Sequence, residues 1–238
     1  MTNRYTFGDN AAAARRLQLL ARVFEPTTRA FIARAVPVPP RLAIDVGCGP
    51  GCTTRLLAET ARAARTVGLD RSRAFLDLAR AHAPPDVGFI EHDVTTVPFP
   101  LGPAGVIFAR FVLSHLPDPE KRAMSWRAQL APGGILLLEE VDAIETAEPA
   151  LRAYLDTMAA RMRAHGGELE IGPRLARIGD QSEVVSLRPR NADAVRMFLL
   201  NLEAQGDSGP LRDGLARVDP AACSIEWRMR QTLIASAS

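Results

Sequence analysis

The sequence has little of several features that would narrow its class at once. Aromatic residues make up only 5% of the 238 residues, there are three cysteines, and Lys121 is the only lysine. The 29 basic and 27 acidic residues leave a net charge of +2. Because nucleic-acid-binding proteins usually show a marked basic excess, this near-balance argues against that class.

Long apolar runs are also missing. Segments such as Ile135–Leu138 are far shorter than the roughly 20 residues that cross a bilayer. The first ten residues contain no apolar core of an export signal. We therefore expect a cytoplasmic protein with reduced thiols. We expect neither a membrane nor a nucleic-acid partner, and the protein is expected to be a monomer or a homodimer. Cys48 and Cys52 have no second Cys or His pair nearby, so no metal site is predicted.

What the sequence does contain is typical of a globular α/β protein. Its hydrophobic fraction of 47% is enough for a sizeable core. Residues 11–36 show helical spacing of apolar side chains, and Pro26 is expected to open a second helix that Pro37 ends. From residue 42, short apolar runs alternate with helical segments, which predicts a parallel sheet with helices on both faces. The predicted strands are 42–46, 66–69, 87–91, 106–108, 135–141, 183–187 and 224–234.

A glycine-rich segment, Asp45–Gly51, lies directly after the first predicted strand and before a helix. Glycine allows a sharp turn and a close approach of a ligand to the backbone. The segment lacks the last glycine of a dinucleotide fingerprint, because Cys52 stands in its place, and no phosphate-binding G-K-[ST] follows. The loop therefore suits a nucleoside-type ligand without a di- or triphosphate.

Two acidic residues follow the next strands along the chain. Asp70 comes after the second strand, where a carboxylate can accept both ribose hydroxyls. Asp93 comes after the third strand, where it can accept an adenine amino group. Taken singly, Asp70 could be an acid at a helix start and Asp93 an ordinary loop residue. Three such elements in order favour a nucleoside site at one edge of the sheet.

These segments together resemble a class I S-adenosyl-L-methionine-dependent methyltransferase of the bacterial small-molecule type, over roughly residues 41–141. LAIDVGCGPGCTTRLLA resembles the first motif of that family, VGLDRSRAFLDLARAH the second and FIEHDVTTVPF the third. The stretch from FARFVLSHLPD to LAPGGILLLEEVD resembles the fourth-strand to fifth-strand unit. One departure is Ala104-Gly105, where the family's fourth strand often begins with Asp.

The resemblance implies an α/β fold, with a Rossmann-like, doubly wound, mostly parallel seven-stranded sheet. It also implies S-adenosyl-L-methionine as cofactor and S-adenosyl-L-homocysteine as product. The implied residues around the methionine portion of the cofactor are Asp45, Gly47, Gly49 and Gly51. Asp70 is implied to bind the ribose, and Asp93 and Val94 the adenine. Arg110 is implied to lie at the cofactor's amino-acid end.

One domain is expected, covering residues 1–238. Its parts are an N-terminal helical lid at 1–40, the cofactor-binding core at 41–141, a helical cap insertion at 142–181, and strands and helices at 182–238 that complete the sheet.

Methyl transfer needs in-line placement and little acid–base chemistry. Where the acceptor must lose a proton, His115 is our candidate catalytic base, because it lies just beyond the fourth strand and histidine titrates near neutrality. The competing interpretation is a packed histidine. Glu140 and His165 are weaker candidates.

Four residues are candidates for substrate contact. Tyr154 and Met158 belong to an apolar stripe that either caps the pocket or is plain core. Tyr5 and Phe7 either form a lid or belong to a frayed terminus. A capping stripe would favour a small apolar or aromatic metabolite as acceptor, O-, N- or C-methylated in natural product biosynthesis.

Three other functions remain open. A protein of this kind can bind the sulfonium cofactor and catalyse cyclisation, decarboxylation or hydroxylation. An RNA or protein methyltransferase would need a basic groove with aromatic residues, which the composition disfavours. A non-catalytic nucleoside-binding module is the remaining alternative.

Overall fold

The computed structural model describes residues 8–237. Within that range, seven strands form one sheet in the order β3-β2-β1-β4-β5-β7-β6. The strands are β1 Leu42–Val46, β2 Arg65–Asp70, β3 Val87–Glu91, β4 Ala104–Arg110, β5 Leu130–Thr146, β6 Gln181–Leu187 and β7 Ile225–Ala235. The helices are α1 Ala11–Ala35, α2 Cys52–Ala61, α3 Arg73–Arg80, α4 Pro119–Arg127, α5 Pro149–Ala164, α6 Gly172–Leu175, α7 Asn191–Ala204 and α8 Pro210–Ala216.

The sheet is mostly parallel. Strands β1 to β5 run parallel to one another. Strand β7 is antiparallel to both of its neighbours, β5 and β6. The predicted α/β, doubly wound fold is thereby confirmed. Chain order reverses at β1, which has β2 on one side and β4 on the other. Ligands of open α/β sheets bind at the carboxyl ends of the strands beside such a switch point.

Helices cover both faces of the sheet, as predicted. On one face, Phe31 and Ile32 of α1 and Leu57 of α2 pack over β1, β4 and β5. On the other face, Trp126 of α4 and Leu175 of α6 pack over the same strands. Along β4 and β5 successive side chains therefore alternate between two buried environments, which explains the almost continuous apolar runs of these strands.

The N-terminal lead-in is one helix and not two. Helix α1 continues through Pro26, so the prediction that this proline opens a second helix was wrong. A proline removes one helical hydrogen bond. Here the apolar side chains on both sides of it, including Phe24 and Phe31, are buried against the rest of the molecule and favour one continuous helix. Asn10 caps the start of α1 by accepting the N–H of Ala13.

The bounds of other elements also differ from the predicted ones. Strand β5 begins at Leu130 and runs to Thr146, so the Pro-Gly-Gly segment and the first residues of the expected insertion belong to the sheet. Leu130 pairs with Ala104 of β4, and β7 pairs with β5 from Ile135 to Thr146, so strand pairing extends β5 beyond the predicted residues at both ends. Helix α8 was not predicted. Ser72 caps the start of α3 by accepting the N–H of Phe75.

Candidate functional site

The site begins with the glycine loop that follows β1. The N–H groups of Gly47 and Cys48 both donate to the carbonyl oxygen of Leu69 in β2, which fixes the loop against the neighbouring strand. Gly47 has φ +72°, and a Cβ there would lie 2.5 Å from a methyl carbon of Val112. A side chain at this position would therefore displace the turn that follows β4.

Gly49 differs from Gly47 because the space around an added Cβ would be almost empty. Its φ is +51°, and the nearest atom to an added Cβ would be Leu17 Cδ1 at 3.4 Å. The backbone at Gly49 thus faces the cavity and can be approached closely by a ligand. Gly51 instead packs inward, against Phe89 and Ala79.

Asp45 lies behind the loop and not in the cavity. It is buried, and its Oδ2 accepts the hydroxyl groups of Thr53 at 2.7 Å and Thr54 at 2.6 Å. Burial raises the pKa of Asp45 to about 6, although the two threonine hydroxyls act in the opposite direction. The side chain therefore ties the end of β1 to the first turn of α2 and supports the loop from below.

Asp70 stands at the carboxyl end of β2 and lines the cavity. Its Oδ2 accepts the N–H of Gly49 and its Oδ1 accepts the N–H of Ser72, both at 2.8 Å. Burial raises the pKa of Asp70, and these two N–H groups oppose the shift. One carboxylate thus holds the glycine loop and the start of α3 while facing the cavity.

Asp93 and Val94 follow β3 and also line the cavity. Asp93 Oδ1 accepts the N–H and the hydroxyl of Thr95, whereas its Oδ2 has no hydrogen-bond partner among residues 8–237. Burial alone would raise the pKa of Asp93, but the Thr95 hydrogen bonds and nearby positive charges lower it overall. The backbone is fixed by Trp126, whose indole N–H donates to the carbonyl of Val94 at 2.8 Å.

The segment after β4 forms another wall. Arg110, Phe111, Val112 and His115 line the cavity. Glu140, fully buried on β5, accepts the N–H groups of Val112 at 2.7 Å and Leu113 at 2.8 Å and so anchors the short 3-10 turn Leu113–His115.

The cavity enclosed by these elements has a volume of about 890 Å³. That lies within the range of about 300–1,000 Å³ usual for small-molecule sites. Helix α1, expected as part of a helical lid at 1–40, supplies one wall of the cavity, with Arg16, Leu17 and Leu20 facing it. Of the implied cofactor-binding residues, the structure brings these to the cavity: Gly47, Gly49, Asp70, Asp93, Val94 and Arg110.

His115 lines the cavity as an uncharged imidazole. Burial, together with the charges of Arg16 and Arg71, lowers its pKa to about 3. An imidazole with so low a pKa is a weak base, because the ideal catalytic pKa lies near the operating pH. The other two acid–base candidates lie elsewhere: Glu140 behind the turn, with a pKa raised by burial to about 7, and His165 at the end of α5.

Sequence reasoning missed the arginines of the cavity. Arg16, Arg71 and Arg122 all line it, in addition to Arg110. An Ala/Arg-rich sequence gives no signal that separates an arginine facing the cavity from one facing solvent. Arg71 carried the only available hint, because it directly follows Asp70 at a strand end.

The expected substrate contacts are placed differently. Tyr154 and Met158 of α5 lie in the core with Phe198 and Trp227, where Tyr154 stacks on Phe198. No residue of 142–181 lines the cavity among those described, so the segment expected to cap the pocket packs beside it. Tyr5 and Phe7 lie outside the described residues.

Neither a metal-binding cluster nor a membrane-spanning helix is present among residues 8–237. No group of three His, Cys, Asp or Glu side chains in that range has an arrangement that could hold a metal ion. No helix there is long and apolar enough to cross a membrane.

Comparisons with known proteins agree with this geometry. A family model described as a methyltransferase domain matches residues 44–138. The trans-aconitate 2-methyltransferase of Methylobacterium radiotolerans is 39% identical over 150 residues, 63% of this chain and 52% of that protein. The trans-aconitate 2-methyltransferase of Variovorax paradoxus is 33% identical over 204 residues, 81% of this chain and 68% of that protein. A Bacillus halodurans protein of known crystal structure has the same fold, with a TM-score of 0.62 at 15% identity, over 88% of this chain and 99% of that one.

The seven-stranded α/β sheet with a cavity at its switch point, together with the Variovorax relative, defines the class of protein. This chain belongs to the class I S-adenosylmethionine-dependent methyltransferases, as the sequence motifs implied. The match spans about half the length of the Methylobacterium relative.

The residues present fit the cofactor of that family. The backbone of Gly49 is open to the cavity, where a Cβ would intrude. Asp70 faces the same space with both oxygens fixed by N–H donors, and Asp93 keeps one oxygen without a partner within residues 8–237. These groups can hold the ribose, the adenine and the methionine portion of S-adenosylmethionine.

Proposed function

We propose that this protein transfers the methyl group of S-adenosylmethionine to a carboxylate oxygen of a small organic anion. The observation that carries the proposal is the set of arginines around His115. Arg16 and Arg71 are close enough to lower the pKa of its imidazole, and both line the cavity. Clustered positive charge attracts anionic ligands, and two of the acids that share the cavity, Asp70 and Asp93, are assigned to the cofactor. The relatives named for trans-aconitate, a small carboxylate anion, support the same acceptor class.

The cofactor supplies an electrophilic methyl group on a positively charged sulfur. On this proposal, Asp70 holds the ribose hydroxyls, Asp93 and Val94 hold the adenine, and the glycine loop supports the methionine portion. Holding two reactants in line can supply on the order of 7–11 kcal/mol of barrier lowering. Positioning is therefore the main contribution of the chain's own residues.

A carboxylate acceptor also explains the state of His115. Such an acceptor is already ionised at neutral pH, so no base has to remove a proton before a C–S bond breaks and an O–C bond forms. The low pKa of His115, about 3, is then no obstacle. The uncharged imidazole is left to orient the acceptor.

The expected alternative, an apolar or aromatic metabolite of natural product biosynthesis, has one observation in its favour. Leu17, Leu20 and Phe111 give the cavity an apolar wall. A phenol acceptor, however, would have to lose a proton, and the neutral, weakly basic His115 is poorly suited to take it.

The test is an acceptor screen with isotopically labelled S-adenosylmethionine and product mass. We expect trans-aconitate and related di- and tricarboxylates to gain one methyl group as an alkali-labile ester. Phenols and the amide analogues of the same acids should not react. Methylation of aromatic acceptors alone would contradict the carboxylate assignment. Turnover without a methyl gain would indicate one of the non-methylating reactions.

Two neighbouring arginines give a matched pair of variants. Arg16 lines the cavity, whereas Arg15 forms an exposed ion pair with Glu203. We expect Arg16→Met to raise the KM for the carboxylate about 10-fold or more, with a smaller effect on kcat. Arg15→Met should leave both unchanged. An equal KM in the two variants would remove Arg16 from the acceptor site.

A further inference from the structure

Three polar side chains form a row across the otherwise apolar sheet. Arg110 of β4 pairs in register with Glu139 of β5, which pairs in register with Gln231 of β7. All three are buried, at 7%, 0% and 2% relative exposure. The residues two positions earlier on β4 and β5, Phe108 and Leu137, are apolar core. A row of this kind under a helix is costly to desolvate and calls for a specific reason.

Helix α1 closes the row from above. The hydroxyl of Thr28, itself fully buried, donates to Glu139 Oε2 and accepts a hydrogen bond from Arg110 Nη1 at 2.9 Å. The side-chain amide of Gln231 donates to Glu139 Oε1 at 2.7 Å. Both oxygens of Glu139 are thus satisfied, and the carboxylate balances the Arg110 charge without forming a direct ion pair with it.

Arg110 is left with unused donors. A guanidinium group has five N–H donors in a planar fork. Among residues 8–237, Thr28 is the only hydrogen-bond partner of this side chain, and no carboxylate lies within 4.0 Å of it. The side chain lines the cavity. A buried arginine with free N–H groups at a cavity wall is prepared for a planar anion, which it can bind bidentately.

The order of the strands indicates which anion this is. Asp93, Asp70 and the glycine loop follow β3, β2 and β1, and Arg110 ends β4, the next strand in the sheet. A ligand with adenine over β3 and ribose over β2 therefore extends across the loop toward β4. In S-adenosylmethionine the end reached there is the amino acid, whose α-carboxylate is the only anionic group of the molecule.

We propose that the Arg110 guanidinium binds the α-carboxylate of the cofactor and that Thr28, held by Glu139, is the positioning residue that orients it. This inference rests on the proposed cofactor site. The family resemblance implied a contact of Arg110 with the cofactor's amino-acid end, and the guanidinium group would make that contact specifically with the carboxylate. Because Thr28 belongs to α1, the position of that helix against the sheet would also affect cofactor recognition.

The test compares two ligands that differ in one group. Calorimetry measures the binding of S-adenosylhomocysteine and of its decarboxylated analogue, S-adenosyl-3-thiopropylamine, to the full chain. A charge-assisted pair predicts that the unsubstituted protein prefers S-adenosylhomocysteine by about 10- to 100-fold. In Arg110→Met this preference should fall below about 3-fold, because the analogue loses little when the guanidinium is removed.

Arg230→Met is the control for loss of a mostly buried arginine. Arg230 is bound by Asp142 at 2.6 Å and does not line the cavity. That variant should retain the full ligand preference. Equal binding of both ligands by the unsubstituted protein, or an unchanged preference in Arg110→Met, would overturn the assignment. Binding of neither ligand would overturn the proposed cofactor site and the assignment with it.

Two substitutions at Thr28 test the positioning role even where Arg110→Met does not fold. Thr28→Val removes the hydroxyl between Arg110 and Glu139 at nearly constant volume, whereas Thr28→Ser retains it. We expect the preference for S-adenosylhomocysteine to fall several-fold in Thr28→Val and to recover in Thr28→Ser. A merely structural threonine would lower the affinity for both ligands alike and leave the ratio unchanged, which would contradict the positioning role.

Discussion

Two aspartates at neighbouring strand ends have different surroundings. Among residues 8–237, Asp45 accepts hydrogen bonds only from side-chain hydroxyls and lies behind the glycine loop. Asp70 accepts hydrogen bonds from backbone N–H groups and faces the cavity. Asp45 is the last residue but one of β1 and Asp70 is the last residue of β2, and the family resemblance implied a cofactor contact for both. The difference arises because successive strand residues point to opposite faces and only Asp70 lies at the very end of its strand.

The substitution Asp70→Asn tests this residue. The amide removes the charge and one of two acceptor oxygens, so either Gly49 or Ser72 loses its partner. We expect cofactor affinity to weaken about 10-fold or more, measured by calorimetric titration with S-adenosylhomocysteine. Asp77→Asn, at an exposed acid of α3 paired with Arg80, is the control and should bind normally. Unchanged affinity in Asp70→Asn would refute the ribose assignment.

At the scale of the element, α1 makes contacts that the expectation of a helical lid did not include. Its inward face carries residues of three kinds: Leu17 and Leu20 at the cavity, Thr28 in the polar row, and Phe24 in the core. Phe24 is fully buried and meets the ring of Phe111, a cavity residue, edge to face at 5.2 Å. The helix therefore supports the site and the core through the same face.

Phe24→Ala should show this dependence. Removing a fully buried ring from a packed cluster costs about 3–5 kcal/mol of unfolding free energy. Chemical denaturation followed by far-UV circular dichroism measures the change. Gln18→Ala, at an exposed position of the same helix, should alter stability by less than about 0.5 kcal/mol. A comparably small change in Phe24→Ala would mean that α1 is only loosely attached.

For the whole molecule, buried acids set the response to pH. Burial raises the pKa of Glu140 to about 7 and that of Asp45 to about 6. The folded state therefore holds these protons more tightly than the unfolded chain, where the pKa of Glu is about 4.5. Their contribution to stability is complete below the unfolded pKa and is lost as pH rises through the folded pKa.

Glu140→Gln isolates one of these groups. The amide keeps an acceptor for the N–H groups of Val112 and Leu113 but does not titrate. Between pH 4.5 and 7.5 the unsubstituted protein should lose about 3 kcal/mol of unfolding free energy relative to the variant. Urea denaturation at the two pH values measures the difference. Glu145→Gln, at an exposed acid of β5, should follow the unsubstituted protein, and an identical pH dependence for Glu140→Gln would disprove the burial effect.

The sequence by itself determined the alternation of strands and helices, the glycine loop and the acidic residues at the ends of β2 and β3. These follow from local patterns, because strand periodicity and turn chemistry depend on neighbours in the chain. Only the tertiary structure decided that α1 passes through Pro26, that Tyr154 and Met158 are core, and that Arg16, Arg71 and Arg122 face the cavity. A helix can bury either face, and an arginine is equally suited to solvent or to an anion. The choice between them depends on which distant elements meet, and no short segment contains that information.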